Sequence, residues 1–137
     1  MKHLFAYGTL MCHEIMQEVS GLKPDPVKAR LRGYSRRTVR GEHYPAIKPD
    51  EQGHVEGVVY MDLPAKAWER LDRFEGELYE RTCVQAITAG NLKVHADTYV
   101  IHPSFQHCLS EEKWDYEKFL HTGKSHFLSL YKGFCGL

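Results

Sequence analysis

The spacing of apolar positions changes several times along the chain, and each change marks an element. His3 to Tyr7 is short, apolar and aromatic, which predicts a buried strand ending at Gly8. Ile15, Val19 and Leu22 then recur at helical spacing, with Gly21 and Pro24 as stop signals. The reading is strand, tight loop, helix. From Val27 the alternation Val27, Ala29, Leu31 predicts a strand with one buried face, interrupted at Gly33, and a second strand carries Arg36, Arg37 and Arg40. Residues 41–50 contain Pro45 and Pro49 and are expected to run extended through a loop without regular structure, with Asp50 to Gly53 as a turn. Val55 to Met61 is the strongest strand signal, and Gly57 inside it leaves room for another backbone.

Leu63-Pro64 launches a helix carrying Trp68, Leu71 and Glu75 on one face, with Asp62 or Leu63 near the cap and Pro64 in the first turn. Gly76 supplies the left-handed stop. Tyr79 to Ile87 alternates, Ala89-Gly90-Asn91 turns, and Val94 to Ile101 returns as a partner strand. After Pro103 comes a helical tail with Trp114, Tyr116, Phe119, Leu120, Phe127, Leu128, Leu130 and Tyr131, which Gly123 divides into two pieces. Its aromatics read as a packing stripe against the sheet. The fold class is α+β or mixed.

Composition narrows the function. The 137 residues suit a single domain, 1–137, that buries about two-thirds of the unfolded surface. Eighteen basic and eighteen acidic residues cancel, without blocks of like charge, so neither nucleic acid nor an anionic membrane is an expected partner. No long apolar run or signal-peptide core opens the chain, and a cytoplasmic location is expected. Cys12, Cys83, Cys108 and Cys135 are scattered, and the nine histidines form no pair with metal-ligand spacing, so reduced thiols and no metal are expected. Cys12 and His13 are adjacent and diverge on a helix, a poor nucleophile and base pair.

Glu75 stands out. Leu71 and Trp68 precede it by four and seven residues, so the acid shares their apolar face. Two readings are open: an inward carboxylate whose proton affinity is raised by burial and by the helix C-terminus, or a rim carboxylate that reaches water. Glu77 lies beyond the helix end and Glu80 on the strand face opposite Tyr79. At the other candidate position, backbone N–H groups around Gly8 can form a concave anion site, although Gly after a strand also serves as a plain turn. Tyr44 and Pro45 can wall a pocket.

Taken in order, Tyr7-Gly8-Thr9-Leu10, Tyr44-Pro45-Ala46-Ile47, Val55-Glu56-Gly57-Val58-Val59-Tyr60, Leu71-Asp72-Arg73-Phe74-Glu75-Gly76 and Tyr79-Glu80-Arg81 resemble the γ-glutamylcyclotransferase-like superfamily, nearest its avirulence-induced-gene branch. The resemblance covers most of the chain, including the Trp114-Asp115-Tyr116 start of the tail. It implies a small mixed β-barrel flanked by helices. It also implies a cofactor-independent reaction in which the α-amine of a small γ-glutamyl compound attacks its own γ-carbonyl, giving 5-oxoproline and a free amine or amino acid. Glu75 would be the general acid/base, and the backbone of Tyr7, Gly8, Thr9 and Leu10 would hold the substrate. Tyr79 covers the pocket or packs, and Arg81 pairs with an acid. Met11-Cys12-His13 lacks the glycine that often follows this loop, which bears on substrate choice. The competing classes are a binding protein of the same fold without turnover and an interaction module built on the aromatic tail.

Overall fold

The computed structural model describes residues 2–133. Five strands, β1 (Lys2–Ala6), β2 (Pro26–Thr38), β3 (Pro45–Leu63), β4 (Tyr79–Thr88) and β5 (Lys93–Ile101), close a barrel in the order β1-β3-β2-β4-β5. Every pairing is antiparallel except the closing one, where β1 runs parallel to β5 with Leu4 opposite Asp97. The barrel is therefore mixed, as the resemblance implies. Helices α1 (His13–Ser20) and α2 (Ala65–Glu75) pack together outside it.

The uninterrupted apolar character of β1 follows from two cores. Leu4 and Ala6 join Ile15, Val19, Trp68 and Leu71 under the helices, whereas Phe5 and Tyr7 join Leu31, Ile47, Val59 and Ala86 inside the barrel. Both faces of the strand leave water, so strict alternation disappears. Leu22 lies beyond the end of α1 and is exposed; Gly21 caps the helix at φ 79°. Val27 also faces solvent, while Ala29 and Leu31 are buried.

Three expectations are corrected. Pro45 to Gly53 is not loop and turn but the first part of β3, paired with the far half of β2 from Pro45 opposite Thr38 to Pro49 opposite Tyr34. The prolines are accommodated at the strand's first residue and beside a bulge, the two places where a missing N–H costs little. At the bulge the ladder slips between Arg32 and Tyr34, Gly33 adopts φ 89°, and Asp50 accepts the Gln52 N–H at 3.1 Å. The turn signal is thus a kink within a continuous strand. Second, Pro64 itself is the N-cap of α2 rather than a first-turn residue. Third, Gly123 does not divide the tail: α3 (Tyr116–Lys118) continues through a π turn, Phe119–Gly123, into α4 (Lys124–Gly133). Gly123 serves close packing, since a Cβ there would lie 2.9 Å from His43 Nδ1. Trp114 and Phe119 are buried in the core that Leu4, Ala6 and Tyr60 of the sheet share with α1 and α2, so the stripe packs on the sheet and on these helices together. Cys135 and the side chains of Leu130 and Tyr131 lie outside the described residues.

Gly57 meets the expectation of close approach. A Cβ at this position would lie 2.4 Å from the Ala6 carbonyl oxygen and 2.9 Å from Phe5 Cζ. Gly57→Ala is accordingly expected to force β1 away from β3 and to cost about 2–3 kcal/mol in chemical denaturation.

Candidate active site

At the end of the barrel where β1 and β5 finish and β4 begins, a narrow cleft opens. Tyr7, Gly8, Thr9 and Leu10 line it together with Pro45, Glu75, Tyr79 and Tyr99. Segments far apart in sequence thus face one space.

The Tyr7 to Leu10 loop is held at both ends. Arg36 Nη1 donates to the Tyr7 carbonyl at 2.7 Å, and the Tyr60 hydroxyl donates to the Leu10 carbonyl at 2.7 Å. Between them Met11 N–H closes a turn onto the Gly8 carbonyl at 3.0 Å. The Thr9–Met11 segment is one 3-10 turn, whose first N–H groups have no acceptor inside the turn. Gly8 is needed sterically, because a Cβ would meet Pro45 Cγ at 2.9 Å and Cδ at 3.0 Å. Of the three arginines noted in the sequence, Arg36 serves the fold: it also donates to the Glu56 carbonyl at 3.1 Å and lies 5.3 Å over the Trp114 ring.

Opposite the loop, α2 presents Glu75 in its last turn. Ala67, Trp68 and Leu71 are buried, and Arg70 Nε donates to the Val19 carbonyl at 2.8 Å, tying α2 to the end of α1. The helix stops at Gly76 with φ 68° and ψ −157°, not in the left-handed helical well but in a region open essentially to glycine alone. Glu75 retains part of its surface at the cleft mouth, yet its carboxyl is pushed up to about 8, first by burial and then by the charge of Asp72. Glu77 and Glu80 are exposed, and Glu80 faces His102 at 3.9 Å.

Hydrogen-bond direction gives the cleft its character. The Tyr7 hydroxyl donates to the Tyr99 carbonyl at 2.5 Å and the Tyr79 hydroxyl to the Pro45 carbonyl at 2.7 Å. With both phenolic hydrogens committed, the two oxygens offer only lone pairs to a ligand. Burial raises both phenols well above the ordinary value, and the Glu75 charge adds to it, so neither ionises near neutrality. Tyr7 and Tyr79, together with Glu75 once it is ionised, place three acceptors in one cleft, complementary to a group with several N–H donors.

Tyr44 is not part of the lining; its neighbour Pro45 is. The Tyr44 ring stacks edge-on against Phe127 of α4 at 6.3 Å, and Phe127 meets Phe74 at 6.0 Å, which places the aromatic tail behind Glu75. Arg81 approaches Asp72 and Asp97, each at 3.6 Å. Sequence reading missed Tyr99, Asp72 and Tyr60, and took Arg36 for a ligand-reaching or solvated charge. Only Asp72 carried a signal, its place three residues before Glu75 on the same helix. Among the described residues no group of three or more His, Cys, Asp and Glu side chains is arranged to hold a metal ion, and no helix is long and apolar enough to cross a membrane.

A family profile described as gamma-glutamyl cyclotransferase, AIG2-like, matches residues 4–118. AIG2-like protein C of Arabidopsis thaliana is 33% identical over 132 residues, 96% of this chain and 76% of the relative. The solution structure of At5g39720.1 from Arabidopsis thaliana superposes with a TM-score of 0.72 at 29% identity, covering 96% of this chain and 88% of that one. The crystal structure of an AIG2-like protein from Mus musculus gives a TM-score of 0.60 at 26% identity, covering 84% and 88%.

Proposed function

The chain belongs to the gamma-glutamyl cyclotransferase, AIG2-like family, and on that premise we propose that it converts a γ-glutamyl amine or γ-glutamyl amino acid into 5-oxoproline and the released amine. The observation that carries this reading is the arrangement across the cleft: a carboxyl with raised proton affinity faces a pinned Gly-containing loop, with two acceptor-only phenols beside it.

The steps balance without a cofactor. The substrate's α-ammonium donates to Glu75, Tyr7 and Tyr79. Glu75 takes one proton, and the freed amine attacks the γ-carbonyl of the same molecule, closing a five-membered ring. The loop backbone from Gly8 to Leu10 holds the γ-glutamyl group in the cyclising conformer. Collapse of the tetrahedral centre breaks the bond to the leaving nitrogen, which takes the proton held by Glu75; the ring nitrogen then gives its extra proton to the regenerated carboxylate, which passes it to the departing amine, so the lactam leaves neutral and the amine as its ammonium form. Because nucleophile and electrophile are already tethered, selecting the reactive conformer supplies much of the acceleration. Proton transfer is also well matched: an α-amine titrates near ~7.7–8.0, and Glu75 at about 8 needs little driving force in either direction.

Incubation with a panel of γ-glutamyl amines and dipeptides, followed by mass spectrometric detection of 5-oxoproline, tests the proposal. Product from at least one member supports it, and tight binding without product across the panel favours a binding protein of the same fold. Tyr79→Phe should raise KM for the productive substrate by about tenfold with a smaller change in kcat, as expected for loss of one acceptor to a charged donor.

A further inference from the structure

Tyr99 joins two residues of the cleft to Asp72. Its hydroxyl donates to Asp72 Oδ1 at 2.7 Å, its carbonyl accepts the Tyr7 hydroxyl, and its ring meets the Tyr79 ring edge-on at 6.5 Å. Asp72 stands one turn before Glu75 on α2, which brings their Cβ atoms to about 5–6 Å. The second Asp72 oxygen, Oδ2, lies 3.6 Å from Arg81 Nη1; the Arg81 guanidinium lies 4.7 Å over Trp68, and its Nε is 3.6 Å from Asp97. Asp72 itself is exposed and lies outside the cleft lining.

The titratable groups that interact electrostatically with Glu75 are Asp72 on its own helix, Tyr7 at the end of β1, Tyr44 in the segment before β3, Tyr79 on β4 and Tyr99 on β5; Glu42 acts in turn on Tyr44, and Arg81 pairs with Asp72. Of these, Asp72 is the one acid, and the other four are phenols whose ionisation burial opposes. We infer that Asp72 is a positioning residue that governs how readily Glu75 takes up a proton, with Arg81 setting how much of the Asp72 charge Glu75 feels. The functional meaning of this device rests on the proposed cyclisation, but the device itself is measurable without turnover.

The test is a pH titration of the Glu75 side-chain carboxyl by 13C NMR in the full chain, its signal assigned by loss in Glu75→Gln. Asp72→Asn keeps an oxygen to accept the Tyr99 hydroxyl and removes the charge. Its titration midpoint should move down by roughly half to one pH unit. Arg81→Met keeps an apolar stem over Trp68 and unmasks Asp72, so the midpoint should move up. Opposite displacements support the inference; a midpoint unmoved in both variants, or displaced the same way, overturns it. If Asp72→Asn yields no folded spectrum, Arg81→Met decides alone, an upward shift supporting and no shift overturning. Opposite shifts in a protein that turns over no γ-glutamyl compound would retain the coupling and overturn the cyclisation proposal, so the two failures are distinct.

Discussion

Replacing Glu75 by glutamine is expected to lower kcat/KM for a γ-glutamyl substrate by about a thousandfold or more while the barrel stays folded. The amide matches the carboxyl in shape but can neither take the proton from the α-ammonium nor return it to the leaving nitrogen. A neighbouring acid cannot stand in. Asp72 is engaged by Tyr99 and Arg81 and lies outside the lining, and Glu77 and Glu80 are exposed. A single-turnover assay reading released amine, with circular dichroism as the fold control, distinguishes loss of chemistry from loss of structure.

The same substitution should have the opposite effect on stability, and only at high pH. In the unfolded chain Glu75 titrates near ~4.3, whereas in the fold the proton is held up to about 8. Between those values the folded state binds more protons than the unfolded one. Stability therefore declines as pH rises through this window and levels off above it. Glutamine resembles the protonated acid and escapes this penalty. At pH 9 the Glu75→Gln variant is expected to exceed the parent by roughly 3 kcal/mol, or about 10 °C in Tm; at pH 5 the two should agree within about 1 kcal/mol. The value is discounted because Glu75 keeps one side open to water. Differential scanning calorimetry at both pH values measures it, and a pH-independent difference would mean that Glu75 is not held in a desolvated site.

Much of this architecture is legible in the sequence because it rests on local patterns. Trp68, Leu71 and Glu75 share one helix face whatever surrounds them, and Gly76 ends that helix through its own backbone freedom. The hairpin of β4 and β5 follows from Ala89-Gly90-Asn91, where Asn91 adopts φ 61°. What escapes is set by partners distant in sequence. Pro49 reads as a loop residue until Tyr34 is placed opposite it, and Gly123 reads as a helix break until His43 is packed against it. Arg36 has the look of a ligand-binding or solvated charge, yet it holds the Tyr7 carbonyl. Tyr99 looks like any aromatic strand residue, and its role as a hub follows only from closure of β5 onto β1.

The resemblance read from the motifs brings Glu75 and the Tyr7 to Leu10 loop into one cavity, and the structure does place both along the same cleft. Tyr44, grouped with them as a wall, instead supports Phe127 behind the carboxyl. The aromatic tail therefore borders the site from outside, where its packing bears on the position of Glu75.

The most direct test of the central claim is to run the reaction in 18O-enriched water and follow both products. Intramolecular attack by the α-amine gives unlabelled 5-oxoproline, equimolar with released amine and lost in the Glu75→Gln variant. Glutamate carrying 18O in its side-chain carboxyl would show that water, not the α-amine, reaches the carbonyl, and would contradict the account.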